Sequence, residues 1–84
     1  MKREVYWYQG AVEDVSQLSA RNAKQATRVL VAVREFGAAN RGDVKKLAGA
    51  DDWRLRAGDW RVVFKLRGDA IYVSSVSDRQ DAYA

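Results

Sequence analysis

The segment Trp53-Arg54-Leu55-Arg56-Ala57-Gly58-Asp59-Trp60-Arg61 narrows the folds open to this chain more than any other. A two-residue Gly-Asp turn closes a tight β-hairpin. Placed at Gly58-Asp59, it sets Ala57 against Trp60, Arg56 against Arg61, Leu55 against Val62, Arg54 against Val63 and Trp53 against Phe64. The large apolar groups then share one side, and Arg54, Arg56 and Arg61 share the other. Like charges opposed on neighbouring strands are destabilising, so an anion between Arg56 and Arg61 would relieve a cost built into the hairpin. The arginine side therefore reads as a place for phosphate.

A second turn at Gly68-Asp69 sets Leu66 against Ile71, Phe64 against Val73 and Val62 against Ser75, on the side of Trp53, Leu55 and Trp60. The two hairpins agree in register. A one-residue slip in either would turn a large apolar set into water, so the sheet should have one face covered by helices. Arg61, Val63, Lys65, Tyr72, Ser74 and Val76 are expected on the uncovered face. Upstream, Arg3 to Gln9 alternates with period two, Val5 and Trp7 on one side and Tyr6 and Tyr8 on the other. Gly10 breaks this strand. Val12, Val15 and Leu18 recur at helical spacing, giving a short helix that ends around Leu18, with Ser19 as cap of the next. The second helix carries the stripe Ala23, Ala26, Leu30 and Val33, widened by Val29 and Phe36, and Gly37 is a natural stop. A loop over 38–43, a short strand or lead-in over Val44 to Leu47 and a polar turn over 48–52 lead into the hairpins. Ser77 to Ala84 is expected to contain a short helical turn. The predicted architecture is α+β: an N-terminal strand, then a two-helix hairpin packed on a twisted, mainly antiparallel sheet of about four strands.

Eighty-four residues make one small domain, 1–84, of a size where a single core supplies only a few kcal/mol of net stability. The chain has no cysteine and no histidine, which excludes disulfides, thiolate or histidine zinc sites and the Ser-His and Cys-His nucleophile pairs. No metal and no cofactor is implied. The formal charge of +4 and pI near 9.7 favour polyanionic partners. The N-terminal residues lack the apolar core of a signal peptide, and the longest apolar run, Val29 to Val33, is too short to span a bilayer. The expectation is a cytoplasmic protein without a membrane partner.

The order strand, helix hairpin, Lys45-Lys46-Leu47-Ala48-Gly49, Trp53 to Phe64 and a terminal Asp78-Arg79-Gln80-Asp81-Ala82-Tyr83 resembles the RelE/ParE superfamily of bacterial toxins over essentially the whole chain. The most specific pieces are Leu-x-Gly followed by Trp-Arg-Leu-Arg-x-Gly-x-aromatic-Arg-Val, and the closing arginine with a tyrosine four residues later. The resemblance implies two helices on a twisted antiparallel sheet and a cognate antitoxin as partner. It also implies one of two activities. RelE-like members cleave messenger RNA, typically in the ribosomal A site, and ParE-like members poison DNA gyrase. The basic pair before the hairpin turn, the arginine after it and the terminal arginine and tyrosine of the nuclease branch correspond here to Arg54, Arg56, Arg61, Arg79 and Tyr83. That match favours the ribonuclease, with ribosome and mRNA as partners. The gyrase inhibitor is the alternative, as is an inactive antitoxin-binding domain.

Metal-free RNA cleavage needs no protein nucleophile, because the RNA's own 2′-hydroxyl attacks the adjacent phosphorus. The developing charge calls for preorganised donors, and the planar fork of arginine suits phosphate oxygens. Arg61 and Arg79 are assigned that role, Tyr83 a base-stacking or orienting one, and Arg54 and Arg56 the RNA backbone, Arg56 also at the catalytic centre. Lys45, Lys46 and Lys65 add RNA-binding charge. Guanidinium stays protonated in proteins, so Arg54 and Arg56 are poor general bases. Asp78, where many relatives have histidine, is the first carboxylate to test, ahead of Asp81, Lys65 and Tyr83. Trp53, Trp60 and Phe64 are read as core.

Overall fold

The computed structural model describes residues 2–49 and 51–78. Strand β1 (Glu4–Trp7) leads into helices α1 (Gln9–Arg21) and α2 (Ala23–Ala39). Strands β2 (Asp43–Lys46), β3 (Asp52–Ala57), β4 (Trp60–Arg67) and β5 (Ala70–Asp78) follow. One sheet of five strands results, in the order β1-β5-β4-β3-β2. Every pairing is antiparallel except that of β1 with β5. The expected α+β class and helix hairpin are present, with one strand more than the four expected, because 43–46 pairs fully along β3. The expected helical turn over Ser77 to Ala84 is not entered by Ser77 or Asp78, which extend β5. The remainder of that turn lies outside the described residues.

The first hairpin has the register read from its turn: Ala57↔Trp60, Arg56↔Arg61, Leu55↔Val62, Arg54↔Val63 and Trp53↔Phe64. Gly58 and Gly68 take φ of 64° and 58°, while Asp59 and Asp69 do not turn positive. Positive φ at the first central position alone is the II′ pattern, whose twist matches that of the flanking strands. The second hairpin departs from expectation beyond Phe64↔Val73. A bulge places Val63 against Ser75 and Val62 against Val76, leaving Ser74 as the extra residue. Val76 thereby turns into the core, at 5% exposure, instead of lying on the uncovered face. The freed Val76 N–H donates to Asp14 Oδ2 of α1 at 2.9 Å. Alternation could not show this, because the bulge is stabilised by a helix residue 62 positions away.

The helices pack on one face of the sheet, where Phe64, Leu55, Ile71, Val29, Val62 and Val73 are the largest fully buried side chains. Phe36 and Phe64 meet with ring centroids 5.2 Å apart, a tilted contact of the kind aromatic pairs favour. The helix ends differ from those anticipated. Helix α1 runs past Leu18 to Arg21, and Asn22, not Ser19, begins α2 by accepting from the Gln25 N–H. Asparagine closes the far end as well, since Asn40 takes the left-handed conformation that ends α2. Gly37 lies inside the helix instead of stopping it. Its carbonyl accepts from Arg3 N at 2.7 Å, and a Cβ there would sit 3.0 Å from Val5 Cγ2, so this glycine brings α2 close to β1. Val12 and Leu30, read as stripe residues, are 45% and 47% exposed, and the buried positions are Ala11 and Leu18 in α1 and Ala26, Val29, Val33, Phe36 and Gly37 in α2. No described helix is long and apolar enough to cross a membrane.

Candidate functional site

The helices cover one face of the sheet, and the other carries the charge. Alternation along β3 puts Arg54 and Arg56 on the uncovered face, opposite Leu55 and Ala57, which are buried. Pairing adds Lys45 of β2 beside Arg54, Asp43 beside Arg56, and Arg61 of β4 on the other flank of Arg56. Arg54 sits deepest. Its side chain is 12% exposed between Lys45 and Val63, and its Nη2 lies 3.9 Å from Asp43 Oδ1. A guanidinium so nearly covered is not a freely solvated strand charge. Arg56 is exposed, and its Nε donates to the Gly58 carbonyl at 3.2 Å. This bond draws Arg56 towards its own turn. Arg61 is partly buried and faces Ser77 of β5.

The remaining basic positions divide between the faces. Lys65 is on the arginine side, where its Nζ donates to Asp52 Oδ1 at 2.8 Å. That hydrogen bond, with the attraction of the Asp52 charge, raises the Lys65 pKa above the ordinary lysine value, so Lys65 serves as a cation and is a poor proton acceptor. Gly49 leaves room for this arrangement: a Cβ there would come within 2.9 Å of the Asp52 carboxyl carbon. Lys45 and Lys46, read as a pair, point apart. Lys46 lies on the helix side, its Nζ 5.6 Å from the centre of the Trp53 ring and 2.7 Å from the Gly49 carbonyl. Asp78 pairs with Trp60 and lines a cleft on the helix side with Asp14, Gln17 and Arg21 of α1, while the bulge puts Ser77, in place of Val76, beside Arg61. Arg79, Asp81 and Tyr83 lie outside the described residues.

Two groupings were not assembled from the sequence. Arg28 of α2 packs on the hairpin tip, where a Cβ on Gly58 would meet its terminal nitrogen at 2.9 Å; only tertiary packing could bring it there. Tyr6, Tyr8 and Tyr72 gather on the uncovered face at the β1 and β5 end, with Tyr6 and Tyr72 stacked at 5.3 Å and 18° and Tyr8 tilted against Tyr72 at 6.2 Å. Tyr6 Oη donates to the Glu4 carboxylate, and this bond raises the tyrosine pKa. The alternation of β1 had placed Tyr6 and Tyr8 on one side, but their nearness to Tyr72 depends on β1 joining β5 in parallel. The face thus has an aromatic end and a cationic end, a combination suited to a polyanion with planar groups.

No family model and no curated protein matches this chain by sequence. Solved structures do. RelE of the RelB-RelE antitoxin-toxin complex from Methanococcus jannaschii superposes with a TM-score of 0.75 at 20% identity, over 93% of this chain and 94% of that one. This chain has the RelE/ParE fold. The archaeal RelE-RelB complex from Pyrococcus horikoshii gives a TM-score of 0.75 at 23% identity, covering 94% and 97% of the two chains. The YoeB/ParE toxin from Agrobacterium tumefaciens gives 0.76 at 17% identity over 89% and 96%. Coverage is near-complete on both sides in all three comparisons.

Proposed function

We propose that this chain is the toxin of a type II toxin-antitoxin pair and acts as a metal-independent endoribonuclease on messenger RNA in the ribosomal A site, in the cytoplasm. The observation that carries the reading is the row of Arg54, Arg56 and Arg61 on two adjacent strands, flanked by Lys45 and left uncovered by either helix. The acids beside these cations are Asp43, next to Arg56, and Asp52, paired with Lys65.

In this reading the 2′-hydroxyl of the substrate attacks its own 3′ phosphorus. The 5′-oxygen leaves, giving a 2′,3′-cyclic phosphate and a 5′-hydroxyl end. Arg61, with Arg79 from the C-terminal residues, donates to the phosphorane oxygens as their charge grows, where fixed donors contribute most. Arg56 stands across from Arg61 and holds the adjoining backbone, Arg54 and Lys45 continue that contact, and Lys65 supplies charge further along. Tyr83 supports a base near the cut. The first carboxylate to test for proton removal from the 2′-hydroxyl is Asp78, but its position beside Trp60, in the cleft with Asp14 and Arg21 of α1, sets it on the helix side and away from the arginine row, so in this reading the ribosome supplies the base. A cognate antitoxin would cover the cationic face, as partner binding stabilises a small domain by mass action.

Purified protein added to programmed ribosomes, with primer-extension mapping of the transcript, tests the assignment. Cuts confined to the A-site codon and lost in Arg61→Ala support it. Intact transcript together with blocked gyrase supercoiling would instead establish the inhibitor of the ParE-like kind, and harmless expression without antitoxin would establish a binding module.

A further inference from the structure

We propose that Tyr6, Tyr8 and Tyr72 form a stacking platform for unpaired bases of single-stranded RNA whose backbone is held by the basic side chains of the same sheet face. The proposal rests on the reading of RNA as substrate and names a site at the far end of the face from the arginine row. Tyr6 and Tyr8 are 47% and 44% exposed. A cross-strand pair that merely strengthened edge strand β1 would account for Tyr6 against Tyr72, but not for Tyr8, which lies past the end of β1 and leaves nearly half its surface in water. The Glu4 carboxylate holds the Tyr6 hydroxyl, and the Tyr6–Tyr72 stack fixes the ring plane, so the platform is ordered before any base arrives.

The platform is continuous with the cations. Tyr72 is the cross-strand neighbour of Lys65, and Arg61 lies four residues back along β4, about 13 Å away at the rise of a strand. Between these ends β5 presents Ser75 and Ser77, against Val63 and Arg61, after the extra residue Ser74. Small side chains there leave a low floor between an aromatic end and an arginine end. Single-stranded RNA fits this shape, since its splayed bases stack on aromatic rings while arginine and lysine follow its phosphates. Charge favours the same occupant, at a formal +4 for the chain.

Binding of the full chain to a fluorescent, 2′-O-methylated oligoribonucleotide, which cannot be cut by 2′-hydroxyl attack, is measured by anisotropy across a salt series. Tyr8→Leu, whose ring makes only the tilted contact, and Tyr6→Leu/Tyr8→Leu are compared with Arg56→Ala. Loss of stacking predicts affinity at least about 5-fold weaker for Tyr8→Leu and about 30-fold weaker for the pair. The salt slope is unchanged in both and shallower in Arg56→Ala, which loses a phosphate contact. Thermal unfolding of Tyr8→Leu at the wild-type temperature excludes a folding defect. Wild-type affinity in both tyrosine variants, or no binding by the wild type, overturns the platform. So does loss of antitoxin binding with RNA affinity intact, which would mark a protein-docking surface. The outcome is separable from the nuclease reading: A-site cuts without tyrosine dependence defeat the platform alone, and tyrosine-dependent binding without cuts defeats the nuclease alone.

Discussion

On the covered face of the sheet Val62, Phe64, Ile71 and Val73 are each 1% exposed or less, while on the open face of the same strands Arg61, Val63, Lys65 and Tyr72 all keep some contact with water. Side chains one position apart thus serve different ends. The covered face carries stability through close packing, where each buried large side chain contributes roughly 1.5–3 kcal/mol by leaving water. The open face is held by ion pairs such as Lys65–Asp52 and Arg67–Asp51, and water screens pairs of this kind so that they contribute little to folding. Substitutions on the open face can therefore change binding and chemistry with little effect on folding, and those on the covered face cannot.

Phe64→Ala offers the largest test of that division. Removing a ring that is 1% exposed and packed on Phe36 should cost about 3–5 kcal/mol, enough to unfold much of a domain this size, as urea denaturation would show. Arg61→Ala should do the reverse: cleavage on programmed ribosomes falls by about 100- to 1,000-fold, the usual loss of a donor to a developing oxyanion, while circular dichroism still reports a folded protein. An Arg61→Ala protein that unfolds, or one that cuts normally, would break the division between the faces.

Asp14→Ala sharpens it at the seam. The carboxylate holds the Val76 N–H that the bulge frees, and its loss should cost about 1.5–3 kcal/mol in unfolding free energy. If Val76 instead flips outward and β5 returns to regular pairing, hydrogen exchange along β4 and β5 would report the altered register, and Ser77 would no longer lie beside Arg61.

A weaker effect is expected from pH. The Lys65 pKa is raised by Asp52, so this pair's contribution is complete below the ordinary lysine value and is lost as pH climbs through the higher value of the folded state. Thermal melts of Lys65→Gln should accordingly fall less steeply with alkaline pH than those of the wild type. Arg56→Ala should change stability least, by a few tenths of a kcal/mol, because the bond to Gly58 is exposed and removing one of two opposed arginines offsets its loss. Its RNA affinity should drop all the same.

The hairpin register was legible in the residues because period-two alternation and a glycine-led turn are local signals that agree with one another. From them came the covered and open faces, the row of Arg54, Arg56 and Arg61, and the burial of Phe64. Helix limits were less legible. Asn22 and Asn40 cap where Ser19 and Gly37 had looked suitable, since several nearby residues can cap a helix and packing selects among them. Lys45-Lys46 read as a cationic pair, yet a strand must send consecutive side chains to opposite faces.

What the chain by itself determined is the amphipathic sheet and the side on which its guanidinium groups emerge, because these depend on the identities of neighbouring residues along each strand. The tertiary structure alone decided the parallel docking of β1 on β5 that assembles the three tyrosines, the bulge that Asp14 holds, and the approach of Arg28 to Gly58. Each joins residues far apart in sequence, and such contacts are chosen by which packing buries the most apolar surface while leaving backbone donors bonded, a choice no local pattern encodes.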